Sequence, residues 1–227
     1  MAYTTEHKML LQAFIQEGPI SEDRLKELII TFFDDDRISL IVSQINEQLQ
    51  PLSMLIKRTQ CELTGHLYWV LVSTVLDDIT RFQVEFTKSQ LALLRNVFSE
   101  IITSYAGCLQ STACLNLSSL PDVKLLKADT EEFLNVMVDK KWLAYQDGFY
   151  YMGVRAIAEL MPYFRATYGN GLKTCFLCKQ VIFRQNVKCD HCGHLFHLYC
   201  IQNFAKANKS VNCPSCKNPF PKTPGGV

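Results

Sequence analysis

The chain has 227 residues, 48% of them hydrophobic, and 23 Lys and Arg against 22 Asp and Glu give a net charge of +1. That length suits one or two core-bearing units plus a small module. No run approaches the eighteen or more apolar residues of a membrane span, the longest being LYWVLV from Leu67, and the start MAYTTEHKML lacks a signal peptide's apolar block; the chain reads as soluble and intracellular, with no membrane partner.

The first unit, residues 1–85, opens with Met9, Leu10, Ala13 and Phe14 at helical spacing and breaks at Gly18-Pro19. Ser21 is a good N-cap for a second helix, with Glu22 and Asp23 in its first turn and Leu25, Leu28, Ile29 and Phe32 on one face. A third helix comes after the acidic break at Asp34 to Asp36, carries Ile38, Ile41, Val42, Ile45 and Leu49, and stops at Pro51. The β-like runs MLIKRTQCEL and HLYWVLVSTV come next, parted by Thr64-Gly65. Three helices and then a hairpin is the order of a winged helix. With 7 basic and 13 acidic residues this unit carries −6.

After a break near Asp77-Asp78 the pattern recurs in residues 86–171, which hold 8 charges of each sign. A long helix from Lys88 to Tyr105 has Leu91, Leu94, Phe98, Ile101 and Ile102 as its stripe, and a poorly patterned stretch around Cys114 and Leu117 has room for a short helix. Asp129 or Thr130 is the expected cap of a helix through Phe133, Val136 and Met137 to Lys140. WLAY, the turn Gln146-Asp147-Gly148 and FYYM then form a compact hairpin. The run GVRAIAELMPYFRATY, helical apart from Pro162, links this second winged helix to the cysteine-rich segment.

Neither candidate DNA-reading helix suits that role. RISLIVSQINEQLQ offers only Arg37 at its start, and TEEFLNVMVDKKW sets Glu131, Glu132 and Asp139 against Lys140 and Lys141. Both read as protein-packing helices, so DNA contact is expected to be weak or indirect.

Seven of the ten cysteines fall between Cys175 and Cys216 in paired spacings, which is metal spacing in a reducing compartment. Cys61, Cys108 and Cys114 lie elsewhere and read as small buried apolar residues. The ligand string runs Cys175-x2-Cys178, then CDHCGHLFHLYC from Cys189 to Cys200, then Cys213-x2-Cys216. Eight N and S donors make two closed tetrahedral zinc sites, structural because no coordination position is left for water. Two assignments compete for the middle. Cys192, His194, His197 and Cys200 would leave Cys189 idle; Cys189, Cys192, His197 and Cys200 would leave His194 idle. The softness of thiolate favours the second. In a RING-like cross-brace the first zinc takes Cys175, Cys178, His197 and Cys200, and the second takes Cys189, Cys192, Cys213 and Cys216. Residues 173–227 carry 8 basic residues and one acidic, Asp190, or +7; two zinc ions and seven thiolates together contribute −3 and leave +4. The prolines and glycines of residues 221–227 mark a mobile tail.

Tandem winged helices followed by a variant RING over residues 172–220 resemble the non-SMC element 1 family, the RING-bearing subunit of the SMC complex dedicated to DNA repair. The resemblance is specific in the zinc string and diffuse in the helical part. It implies a ligand set of four cysteines, one histidine and three cysteines, which supports Cys189 over His194. It implies a nuclear, chromosome-associated protein that pairs through its winged helices with a MAGE-type subunit, helps bind the kleisin, and acts as a ubiquitin ligase strengthened by the MAGE partner. In RING ligases the groove for the ubiquitin-conjugating enzyme uses residues that correspond here to Leu177, Phe204 and Pro214. Lys217 stands where active RINGs often have the arginine that steadies donor ubiquitin, and it lacks arginine's bidentate fork. The alternatives are a purely structural clamp in the same complex or a PHD-like histone reader. The reader is disfavoured by Val211, which stands where such fingers carry an aromatic.

Overall fold

The computed structural model describes residues 3–75, 85–184, 186–208 and 212–219. The break expected at Asp77-Asp78, Val211 and the tail from 221 to 227 lie outside them.

In the first unit α1 (Thr5–Glu17) buries Leu10 and Phe14 and ends at Gly18, whose N–H donates to the Phe14 carbonyl. A two-residue strand, β1 (Ile20–Ser21), precedes α2 (Glu22–Phe33), and the Ser21 hydroxyl accepts the Arg24 N–H at 3.3 Å as the expected cap. Then come α3 (Ile38–Leu49) and a hairpin of β2 (Met54–Gln60) and β3 (Leu67–Ser73), in the sheet order β1-β3-β2. Asn46 pins α3 to that sheet. Its side-chain amide donates to the Ile56 carbonyl at 2.9 Å and its oxygen accepts the Ile56 N–H at 2.7 Å.

The second unit repeats the plan: α4 (Lys88–Thr103), β4 (Cys108–Gln110), α5 (Ser111–Asn116), α6 (Lys127–Asp139), β5 (Leu143–Gln146) and β6 (Phe149–Met152), in the sheet order β4-β6-β5. Helix, short strand, two helices and hairpin in both units make the architecture a tandem of winged helices. Asp147 at φ 52° and Gly148 at φ 84° form the two-residue β5–β6 turn, a left-handed pair that matches strand twist. One expectation is corrected. Neither Asp129 nor Thr130 caps α6, which starts after Leu126; Thr130 is fully buried and donates its hydroxyl to the Leu126 carbonyl at 2.9 Å.

The β2–β3 hairpin is buried on both faces. Ile56, Trp69 and Leu71 face the first unit's core, while Leu55, Tyr68, Val70 and Val72 face Ala158 of α7 (Val154–Glu159). Strand alternation produces that split. α7 therefore joins the two units, and Pro162 sits in the first turn of α8 (Met161–Tyr168), where its missing N–H costs nothing. The C-terminal finger has β7 (Lys173–Thr174), β8 (Val181–Ile182), β9 (Asn186–Lys188), β10 (Leu195–His197) and α9 (Leu198–Asn208). Val181 and Phe183 leave the finger to join the second unit's core, Phe183 meeting Phe164 edge-on at 5.6 Å. Gly107 makes this approach possible: at φ 67° it is left-handed, and a Cβ there would lie 1.7 Å from the Phe183 carbonyl oxygen. Among the described residues no helix is long and apolar enough to cross a membrane.

Candidate metal centre

Three turns in the finger share one geometry. In each, the N–H of the residue after the second cysteine donates to the carbonyl of the first: Lys179 to Cys175 at 2.9 Å, Gly193 to Cys189 at 2.8 Å and Lys217 to Cys213 at 3.0 Å. The first cysteine's own N–H reaches one residue further, to Gln180, His194 and Asn218 respectively. Lys179, Gly193 and Lys217 are all left-handed, at φ 60°, 73° and 64°. Cys189-x2-Cys192 is thus built like the two outer knuckles.

These knuckles cross over in pairs. Cys175, Cys178, His197 and Cys200 bring one donor atom each within 4.8 Å of one another, and so do Cys189, Cys192, Cys213 and Cys216. A tetrahedral ion with thiolate bonds of about 2.3 Å requires sulfur–sulfur edges of about 3.8 Å. The Sγ atoms of Cys189 and Cys216, and of Cys192 and Cys213, are 3.7 Å apart. In the other cluster His197 Nδ1 lies 3.3 Å from Cys178 Sγ and 3.8 Å from Cys200 Sγ. Two such cages could each hold a tetrahedral ion with no open position. His194 stands outside them, exposed, tilted against Phe176 with ring centroids 4.5 Å apart, its Nδ1 3.2 Å from Cys192 Sγ. That places it to hydrogen-bond a ligand sulfur. His191 is also exposed.

The local field prepares the thiols for metal. Burial raises the Cys175 pKa, but the backbone N–H groups of Cys178, His197 and Leu177 outweigh it and bring it down to about 7. The Cys192 and His191 N–H groups hold Cys189 down to about 6. Burial and the neighbouring thiolates push Cys200 up. Each cage thus has a sulfur that ionises readily, while others need the ion to displace their protons.

His197 is clamped from behind. Its Nδ1 faces the sulfurs, so Nε2 carries the proton; it lies 3.1 Å from the Val181 carbonyl and 3.2 Å from a Glu62 carboxylate oxygen. Tyr199 stacks on the ring at 4.7 Å. Glu62 comes from the β2–β3 loop of the first winged unit, and no spacing in the sequence points to it: its partners are 121 to 135 residues away.

The groove residues separate. Leu177 and Phe204 line one cleft beside the first cage, of about 670 Å³, which Lys57, Arg58, Thr59 and Gln60 of β2 also line. Pro214 does not line it; it lies in the last knuckle, its carbonyl accepting from Lys217 Nζ at 3.3 Å. Of the three outlying cysteines, Cys61 and Cys114 are buried, and burial pushes the Cys114 thiol up to about 12. Cys108 differs from expectation in being only half-buried, at the start of an edge strand. On the candidate reading helices Arg37 is tied to Asp35, its Nη2 at 2.6 Å from Oδ2, and Lys140 is paired with Glu85. Those cations already have carboxylate partners.

A family model for the Nse1 non-SMC component of the SMC5-6 complex matches residues 7–160, stopping short of the paired cysteines. The matches to curated relatives extend across them. A non-structural maintenance of chromosomes element 1 homolog of Xenopus laevis is 31% identical over 223 residues, covering 95% of this chain and 82% of the relative. The Homo sapiens homolog is 30% identical over 226 residues, covering 96% and 85%. Among solved structures, a chain of an Nse1-Nse3-Nse4 complex superposes with a TM-score of 0.82 at 30% identity, over 97% of this chain and 98% of that one.

Proposed function

This chain belongs to the Nse1 family of non-SMC components of the SMC5-6 complex, and on that premise we propose that it serves there as a RING-type ubiquitin ligase subunit. Zinc is the ion that suits its cages: thiolate-rich, tetrahedral and closed. Cys175, Cys178, His197 and Cys200 hold the first ion, and Cys189, Cys192, Cys213 and Cys216 the second. Bound there, zinc supplies folding free energy and no Lewis-acid chemistry. In this reading the chain forms no covalent intermediate; ubiquitin passes from a conjugating enzyme's thioester to a target amine while the finger positions the donor. Residues 1–85, 86–171 and 172–220 are its working units.

One observation carries the ligase reading: Leu177 and Phe204, the positions that form a RING's shallow groove, both line an open cleft beside the first cage. The winged units supply the assembly surface. A solved neighbour is a chain of an Nse1-Nse3-Nse4 complex, which supports pairing with a MAGE-type subunit and the kleisin; this reading puts the protein in the nucleus, on the chromosome. Met9, Ile15 and Ile30, exposed on α1 and α2, give such partners apolar surface. DNA contact is weak or indirect in this reading, which the pairing of Arg37 with Asp35 and of Lys140 with Glu85 supports.

The test is discharge of a ubiquitin-loaded conjugating enzyme by the chain assembled with its MAGE-type partner. Leu177→Ala and Pro214→Ala should each slow it severalfold. Equal discharge in all three proteins sinks the groove assignment. The Pro214 arm is the more demanding, because Pro214 stands away from the cleft. A structural clamp is the second reading, favoured by the finger's firm docking on both winged units through Glu62 and Gly107; it requires discharge at the background rate in every version.

A further inference from the structure

The Glu62 carboxylate is nearly sealed from water, its side chain 8% exposed, and three donors surround it. The Phe183 N–H meets its two oxygens at 3.2 and 3.1 Å, the Arg184 N–H donates at 2.8 Å, and His197 Nε2 lies 3.2 Å away. A buried carboxylate so placed is held by bonds that cost the full desolvation of the group when lost. The loop bearing it is stiff: the Cys61 N–H donates to the His66 carbonyl at 2.9 Å and the Gly65 N–H to the Cys61 carbonyl at 2.8 Å. The finger returns a bond, Arg184 Nη1 donating to the Leu63 carbonyl at 3.1 Å. A histidine that gives one nitrogen to a metal commonly gives the other N–H to a carboxylate, which fixes the ring and makes it a better ligand; removing such a carboxylate typically weakens metal binding about 10- to 100-fold.

We propose that Glu62 is the outer carboxylate of the first zinc site, positioning His197 from another domain, so that zinc binding in the finger and docking of the finger on the first winged unit strengthen each other. The proposal rests on the zinc reading of that cage. By linkage the factor is reciprocal: docking tightens the first ion by as much as that ion tightens docking. Among the described residues the second cage, all thiolate, shows no such tie, and it is the internal control.

The full chain, loaded with zinc and mixed with a chromophoric chelator, reports the release of each ion. Glu62→Gln keeps the shape and an acceptor for the backbone N–H groups but loses the anion; it should speed release of one ion by tenfold or more and leave the other at the wild-type rate. Arg184→Ala, which removes a docking contact and spares the carboxylate, should speed it less. Should Glu62→Gln misfold, hydrogen exchange on the wild type still decides: stripping zinc should expose the amides of residues 61 to 66. Unchanged release in Glu62→Gln, an equal effect from Arg184→Ala, or unchanged protection of that loop on stripping overturns the proposal. A wild type that binds fewer than two zinc ions fails at the zinc reading first, which tells the two failures apart.

Discussion

At the scale of residues, the paired cysteines are legible because a knuckle is a local structure: its spacing, turn and two hydrogen bonds fit within six residues. The sequence favours Cys189 over His194 only through the softness of thiolate, and the middle knuckle, whose bonds repeat those of the two outer ones, supports that choice. His194→Ala should keep two zinc ions per chain, while Cys189→Ala should lose or weaken one, as native mass spectrometry would count; the opposite pattern restores His194 as a ligand. The pH dependence follows from the same groups. The lowered pKa values of Cys175, about 7, and Cys189, about 6, keep these thiolates available at neutral pH, and protons compete for them only as pH falls. Burial opposes protonation of His197, but Glu62 and Cys175 outweigh it, so its pKa is raised and it joins that competition. Because the ion competes with the proton, release should begin below those values and grow with acid; release that grew as pH rose would contradict the ligand set. Glu62 is illegible, since nothing near it in sequence hints at a histidine 135 residues on.

At the scale of elements, helices with a sustained apolar stripe are readable, as α2, α3 and α4 show, because burial on one face imposes the 3.6-residue period. The strands β1 and β4, two and three residues long, are too short to show any period. The start of α6 misleads because Asp129 and Thr130 have cap-forming side chains yet sit in its first turn, where Thr130 bonds backward to Leu126 instead. Asp129→Ala should therefore change the melting free energy by no more than the helix-dipole term of about 0.3–1 kcal/mol, whereas Leu134→Ala, fully buried in the same helix, should cost about 2–5 kcal/mol. A loss of about 2 kcal/mol in the Asp129 variant, the upper range for a lost cap, would restore it as the cap. Gly107→Ala meets both a left-handed backbone and the Phe183 carbonyl, so it should lift the finger from the second winged unit, read as faster hydrogen exchange at residues 181 to 184.

At the scale of the whole molecule, the repeat is visible as element order, but not how its parts touch. The run LYWVLV announces burial without saying against what; in the fold its alternate residues serve two cores, one within the first unit and one under α7. That two-sided hairpin sets the first unit against the finger, so β2 lines the same cleft as Leu177 and Phe204. On the ligase reading, a conjugating enzyme bound at Leu177 and Phe204 would meet residues 57 to 60 as well, which a free RING would not provide. Hydrogen exchange on the chain assembled with its MAGE-type partner, with and without a conjugating enzyme, tests this most directly. The expected result is new protection at 175–180 and 198–208 together with 57–60; protection confined to the winged helices, or none at saturating enzyme, would contradict a ligase groove in the finger.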